Sequence, residues 1–224
     1  MLRFERGFFY FYKMRVISTN IGKPVTFEWN GKNEQTGIFK YPVDSPLFLT
    51  KNDVAKDTII NRVNHGGENK ACYLFSADQY PYWKNLYPNL DWNWGMFGEN
   101  LTVLGMDESS MRIGDIYKVG TALVQVSQPR EPCYKLGVRF EDQTILKQFI
   151  DHAHSGTYVR ILEEGEVRME DEFVLVEQSK NPLTVKQGFE VILARKKDPQ
   201  LVKLAVGNTS LPEYKRERLK KYLR

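Results

Sequence analysis

Cysteine is scarce in this sequence, which has only Cys72 and Cys133 in 224 residues. Two cysteines cannot form the disulfide framework on which small secreted proteins depend, so we expect a reducing, cytoplasmic setting. Long apolar runs are also missing, since no stretch approaches the ~20 residues that a membrane-spanning helix needs. The sequence therefore predicts a protein with no membrane partner.

A strong charge of one sign is absent as well, because the formal net charge is +4. This mild excess allows an anionic ligand but does not require nucleic acid. Basic residues cluster only in the last segment, EYKRERLKKYLR, where a solvated helix face is favoured over a nucleic-acid contact.

Several signature motifs are missing too. There is no GxxxxGK[ST] and no GxGxxG after a strand, which excludes the common nucleotide-binding loops. No CxxC or HExxH occurs, and His152 and His154 alone do not supply enough ligands for zinc. The cysteines are also too few for an iron–sulfur cluster. A redox enzyme built on this chain would therefore need a source of electrons other than an iron–sulfur cluster or a nucleotide cofactor held by such a loop.

Short apolar segments punctuated by glycine dominate residues 14–178. RVIST, NLTVLG, DIYKVG and TALVQVSQ are typical of strands, Asn30-Gly31 marks a hairpin, and TYVRILEEGEVRMEDEFVLVEQ predicts two more strands around a glycine turn. ENKACYLFSADQ has helical spacing, and DQTILKQFIDHAHSG predicts an amphipathic helix closed by Gly156. Many short strands with few long helices predict a mainly β domain, a β-barrel rather than a doubly wound sheet.

Two other segments flank this domain. Residues 179–224 contain three helical patterns with Thr184, Asp198 and Ser210 as N-caps, which predicts a small C-terminal three-helix domain. Residues 1–13 precede a second methionine that opens a well-patterned strand. We interpret them as an N-terminal extension.

Cys133, in VSQPREPCYKL, is the first candidate functional residue. A thiol becomes a nucleophile or a metal ligand only as thiolate, and positive charge from Arg130, Lys135 and Arg139 would favour that form. The two prolines favour an extended backbone and keep the segment out of a helix. The alternative is a small buried hydrophobe, which fits Cys72 on its predicted helix better.

NRVNHGGENK, at residues 61–70, is the second candidate. The adjacent Gly66 and Gly67 allow backbone N–H groups to turn towards an anion, and a helix predicted to begin near Glu68 would add its positive end. The charges and donors of the segment come from Arg62, His65 and Lys70. The composition suits a phosphate, although a plain glycine turn before a helix explains it equally well.

The third candidate is WGMFGENLTVLG, in which Glu99-Asn100 precedes a strand. A structural turn accounts for this pattern, and within a site Asn100 would orient a polar ligand. A nucleophilic pair between His65 and Cys133 is a further option, but the sequence does not show that the two are close.

These segments, in this order, resemble the MOSC family, named for the C-terminal domain of molybdenum cofactor sulfurase. The resemblance extends from Met14 over nearly the whole chain and is carried by ISTNIGKP, TGIFKYPV, NHGGENKA, GMFGENLT, IGDIYKVGTALVQVSQPREPCYKL and GTYVRILEEG. It points to the bacterial 6-N-hydroxylaminopurine-resistance branch, which often carries three C-terminal helices. The fold it implies is a β-barrel of the pyruvate-kinase insert type.

The function that the resemblance implies is molybdenum-dependent reduction of N-hydroxylated substrates, such as hydroxylaminopurine-type base analogues, to amines. Cys133 would be the catalytic residue and would bind molybdenum through its thiolate. The candidate residues for the rest of the molybdenum cofactor (molybdopterin) are Lys23, Thr36, Lys40, Arg62, His65, Gly66, Gly67, Lys70, Asn100, Gln128 and Arg130. Relatives often carry Asp at position 61 and His at position 64, where this chain has Asn61 and Asn64, so no acid–base or paired-histidine role is transferred.

Such an oxidoreductase would depend on an external electron-donating reductase, with a small N-hydroxylated molecule as substrate and a homodimer as an open option. Two other functions stay open. The same residues would serve a non-catalytic protein that binds or carries the molybdenum cofactor or its sulfur. The third option is pyridoxal phosphate on Lys23, Lys40 or Lys70, or nucleic acid on the basic C-terminal helix.

Overall fold

The computed structural model describes residues 13–60 and 66–223. In chain order, the strands of these residues are β1 (Arg15–Gly22), β2 (Val25–Trp29), β3 (Lys32–Thr36), β4 (Lys40–Pro42), β5 (Leu47–Leu49), β6 (Cys72–Ser76), β7 (Leu101–Leu104), β8 (Ile116–Val119), β9 (Ala122–Pro129), β10 (Thr157–Glu163), β11 (Gly165–Val167) and β12 (Val174–Glu177). The helices are α1 (Tyr80–Leu86), α2 (Tyr134–Arg139), α3 (Ile145–His152), α4 (Val185–Leu193), α5 (Pro199–Gly207) and α6 (Glu213–Lys220).

Eight strands form one mixed sheet in the order β12-β8-β9-β10-β6-β7-β1-β4. Neighbouring strands are antiparallel except β6 and β7, which are parallel. A separate pair, β2 and β3, forms the predicted hairpin, with Asn30 and Gly31 at φ 50° and 73° in its turn. The prediction of a mainly β protein with peripheral helices is confirmed.

The sheet curls until backbone hydrogen bonds join its two ends. Val16 N donates to Asp171 O at 2.9 Å, and Phe173 N donates to Met14 O at 2.8 Å. Residue 173 leads directly into β12, whereas the far end of β1 pairs with β4 on the same side. In the part of the chain that the structure describes, a short bridge therefore replaces the continuous strand pair of a fully closed barrel.

The helix predicted over ENKACYLFSADQ is wrong, because Cys72–Ser76 is strand β6 in the middle of the sheet. All five residues of β6 are buried, since β10 pairs on one side, β7 pairs on the other, and both faces are covered. A strand buried on both faces shows no alternation of apolar and polar residues, so periodicity does not separate it from a buried helix. Cys72 itself is fully buried, as predicted.

The core divides into two apolar clusters. The first is mainly aliphatic and collects residues of the sheet, such as Val103 and Val124, with residues of the C-terminal helices, such as Val202. The second is aromatic: the rings of Phe75 and Phe97 stack at 4.1 Å, and Phe149 packs beside them. Aromatic pairs in such geometries add about 0.5–1.5 kcal/mol beyond the burial of their surface.

Three helices follow the sheet at the predicted places. Thr184 and Gln187 form a capping box at the start of α4, and Asp198 accepts hydrogen bonds from the first turn of α5. The third predicted cap is wrong, because α6 begins after Pro212 and not after Ser210. These helices share the aliphatic core with the sheet. The proposed domain boundary at residue 179 stays a prediction.

Helix α3 ends earlier than predicted. The residue that adopts the left-handed conformation is Ala153, at φ 56°, whereas Gly156, at φ 67°, leads into β10. Among the residues described, no helix combines the length and the apolar composition that spanning a membrane requires.

Candidate active site

The segment after β9 places Cys133 at the wall of a cleft. Cys133 has an extended backbone, at φ −128° and ψ 164°, and the helix begins only at the next residue, Tyr134. This agrees with the effect expected of the two prolines. The thiol side chain is partly exposed and lines an open cleft of about 710 Å³. Cys133 is therefore accessible to a ligand, unlike Cys72.

Six predicted site residues meet at this cleft: Thr36, Lys40, Lys70, Asn100, Arg130 and Cys133. They come from distant parts of the sequence: Thr36 ends β3 of the separate hairpin, Lys40 begins β4 of the main sheet, and Arg130 follows β9. Apolar side chains of Ile38, Ile59 and Phe97 complete the lining. A cleft that combines apolar side chains with converging polar groups is typical of a small-molecule site.

Arg130 supplies a buried cation that forms no ion pair with a carboxylate of the described residues. It is 5% exposed, and its guanidinium lies 5.4 Å from the ring centroids of both Tyr73 and Phe149. Its Nη1 is buried and has no hydrogen-bond partner among the described residues. Burial raises the pKa of Tyr73 well above its ordinary value and that of Tyr158 to about 12, so these phenols remain neutral. A buried guanidinium N–H without an acceptor favours an anionic ligand here.

Lys40 and Asn100 converge on Asp57, a residue that the sequence analysis missed. The Lys40 ammonium forms a buried ion pair with the Asp57 carboxylate. Asn100 Nδ2 donates to Asp57 Oδ2, and Gly22 N donates to Asp57 Oδ1, both at 2.9 Å. No sequence motif marks this aspartate, because its partners come from other strands. The group forms one wall of the cleft.

The segment WGMFGEN forms a structural turn, the simpler of its two interpretations, and this turn positions Asn100. The buried Glu99 carboxylate accepts from Gly95 N at 2.9 Å, Phe97 N at 3.1 Å and the Tyr80 hydroxyl at 2.5 Å. Burial raises the pKa of Glu99, and these hydrogen bonds oppose the shift. The carboxylate thus satisfies the backbone of the turn, and the next residue lines the cleft.

The two glycines of NHGGENK lie beside the cleft and not in it. Gly66 and Gly67 line a neighbouring cavity that shares Lys70 with the cleft. Gly67 N donates to Asn52 O at 3.2 Å, and the predicted helix is only a three-residue 3₁₀ turn, Glu68–Lys70. The helix N-terminus expected to favour a phosphate is therefore absent from this described segment. Arg62 and His65 lie outside the described residues.

Two other predicted residues lie away from the cleft lining. Lys23 is exposed, just before β2. Gln128 is buried at the end of β9, where its Nε2 donates to Asn69 O at 2.9 Å. Gln128 lines a second cavity of about 830 Å³ that meets the cleft at Cys133.

The histidines near the end of α3 have structural partners. His152 stacks on Tyr82 at 3.9 Å between ring centroids, and its Nε2 lies 2.8 Å from Gln79 Oε1. His154 Nδ1 lies 3.0 Å from Oε2 of the buried Glu108. Across residues 13–60 and 66–223, no group of three or more histidine, cysteine, aspartate or glutamate residues is arranged to hold a metal ion.

Comparison with known proteins adds a family to this geometry. Residues 61–174 match the model of the MOSC domain. The chain is 41% identical to YflK of Bacillus subtilis over 152 residues, and this alignment covers 68% of each protein. It is 34% identical over 163 residues to a protein of Gibberella moniliformis named Reductase, and this alignment covers 71% of this chain but only 29% of that protein.

The fold is similar to that of a solved relative. The crystal structure of YiiM from Geobacillus stearothermophilus superposes with a TM-score of 0.78 at 32% sequence identity. The similarity covers 94% of this chain and 100% of that one, so it extends beyond the sheet into the C-terminal helices.

Proposed function

The chain belongs to the MOSC family, and from this premise we propose that it is a molybdenum-cofactor-dependent reductase of N-hydroxylated compounds. Its substrates would be base analogues of the hydroxylaminopurine type, which it would convert to the corresponding amines. The observation that carries the proposal is the partly exposed Cys133 in one cleft with the buried Arg130, whose Nη1 has no hydrogen-bond partner among the described residues.

The residues of the cleft fit the cofactor chemically. A thiolate is a soft ligand of the kind that a molybdenum centre accepts, and Cys133 is the only cysteine lining the cleft in the described residues. The buried guanidinium of Arg130 is a donor for the anionic phosphate of the pterin.

Each residue has a separate role in this proposal. Cys133 would hold the metal, and Arg130 and Lys70 would bind the phosphorylated end of the pterin. Asn100, fixed by Asp57, would orient a polar edge of the ligand. When bound, the molybdenum cofactor supplies the two-electron reduction that removes oxygen from the N–OH group.

The reaction is balanced by two electrons and two protons, which convert the N–OH compound to its amine and water. Since the sequence contains none of the common nucleotide-binding motifs, an external reductase would supply the electrons. That partner, a homodimeric assembly and a cytoplasmic location stay predictions.

Replacement of Cys133 tests the proposal. Cys133→Ala, made in a host that synthesises the cofactor, is expected to lose bound molybdenum and to stop reducing 6-N-hydroxylaminopurine with an artificial electron donor. Cys72→Ala is the matched control, because it removes the other cysteine from a fully buried position outside the cleft. It should keep both the metal and the activity.

Two results separate the alternatives. Full metal content and full turnover in Cys133→Ala would refute the proposed role of this thiolate. A wild-type protein that binds the cofactor but does not reduce the substrate would instead be a carrier of the cofactor or its sulfur. Metal analysis and amine release therefore need to be measured on the same samples.

A further inference from the structure

The last helix reaches the segment that carries Cys133. Lys215, on α6, donates from Nζ to Glu131 Oε1 at 2.5 Å. Arg218, one turn further along α6, reaches Glu131 Oε2 at 3.3 Å. Both carboxylate oxygens of Glu131 thus have a cationic partner from the C-terminal helix, only two residues before the proposed metal ligand.

A second contact fixes the other end of this segment. The hydroxyl of Tyr214, which precedes Lys215, donates to Gln128 Oε1 at 3.0 Å. Helix α6 therefore holds residues 128 and 131 at the same time. The chain has little freedom between these anchors, because Pro129 occupies one of the two intervening positions.

Lys215 is buried to a degree that is unusual for lysine. It is 1% exposed, whereas fully buried lysines are rare unless they are paired. Burial lowers the pKa of Lys215, and the charge of Glu131 opposes that shift. Burial works to raise the pKa of Glu131, but Lys215 and Arg218 outweigh it and lower the pKa overall. The two charges stabilise each other.

Glu131 would oppose an anionic ligand if it were not neutralised. Its side chain lines both the cleft and the second cavity, next to Arg130. Its charge already acts on Lys70: burial lowers the pKa of Lys70, and the charge of Glu131 opposes part of that shift. An unpaired carboxylate at this place would repel a phosphate and compete for the cations of the cleft.

We propose that Lys215 is a positioning residue of the Cys133 site, which neutralises Glu131 so that Arg130 can bind an anion. The proposal rests on the anionic ligand of the proposed function and deepens it. It makes the third C-terminal helix a part of the site and not only an appendage to the sheet.

Phosphate binding to the full chain tests this inference. In calorimetric titrations with inorganic phosphate, Lys215→Met is expected to lower the affinity about tenfold, which corresponds to about 1.4 kcal/mol. The double variant Lys215→Met/Glu131→Gln removes the repelling carboxylate as well and should bind within about twofold of wild type. Lys220→Met is the matched control, because Lys220 lies on the same helix in an exposed pair with Glu217.

The double variant separates charge from structure. If Lys215 acted only by holding the helix in place, removing the charge of Glu131 would not restore phosphate affinity, and the double variant would stay tenfold weaker. That result would overturn the inference, as would wild-type affinity in Lys215→Met.

The double variant also covers a folding failure. Because neutral replacement of both partners of a buried pair is often tolerated, it is expected to fold even where Lys215→Met does not. A wild-type protein that binds no phosphate would refute the inference as well. None of these measurements requires molybdenum, so a failed reductase assay is a separate outcome.

Discussion

The buried ion pair between Lys40 and Asp57 offers a quantitative test of how the cleft wall is held. The Lys40 side chain is 8% exposed and that of Asp57 is 2% exposed. Asp57 also accepts hydrogen bonds from Gly22 N and Asn100 Nδ2. Asp57→Ala removes all three interactions and leaves a buried ammonium without its partner.

The expected loss follows from these contacts. Removing one partner of a buried pair costs about 3–5 kcal/mol, because the remaining charge is neither solvated nor neutralised. The unsatisfied N–H of Gly22 belongs to the same site, so we expect Asp57→Ala to lower the free energy of unfolding by about 4–5 kcal/mol. Lys40→Met/Asp57→Leu removes both charges and should cost much less than the two single changes together.

Urea unfolding followed by tryptophan fluorescence measures these free energies. Asp151→Ala serves as the control, because Asp151 pairs with Lys147 at side-chain exposures of 58% and 82%. An exposed pair of this kind contributes about 0.3–0.5 kcal/mol. If Asp57→Ala cost no more than Asp151→Ala, the pair would be screened by water and the reasoning about the cleft wall would be wrong.

Two further predictions concern a close backbone approach at Gly37 and the partly buried His152. A Cβ at Gly37 would lie 2.0 Å from Thr58 O, so Gly37→Ala should lower the free energy of unfolding by about 1–3 kcal/mol. Gly207 has open space around it, so Gly207→Ala is the control and should change that free energy little. Equal changes in the two variants would contradict the close packing at Gly37. Burial, with a smaller effect of His154, lowers the pKa of His152 from 6.5 to about 4. The unfolded chain therefore takes up the proton first, and the stability that His152 contributes above pH 6.5 is lost as the pH falls through about 4. After allowing for the partial exposure of His152, we expect a loss of about 1–2 kcal/mol in the free energy of unfolding. Urea unfolding at pH 7 and pH 4 measures this loss. His152→Gln should remove that part of the pH dependence, and an unchanged dependence would refute the assignment.

Local chemistry in the sequence by itself determined several parts of this protein. Asn30-Gly31 predicts the hairpin because both residues tolerate the positive φ of its turn, and Thr184 and Asp198 predict two helix starts because their side chains bond to the first backbone amides. The prolines around Cys133 likewise predict its extended backbone. In each case the partners lie within a few residues of one another.

Only the tertiary structure decided the rest. Asp57 meets a lysine 17 residues away, and Glu131 meets Lys215 across 84 residues, so no local pattern marks either pair. The strand at Cys72 was missed for the same reason, since its burial depends on neighbours from β7 and β10. Local signals specify conformation, whereas a charge is buried or neutralised only by groups that the fold brings together from distant parts of the chain.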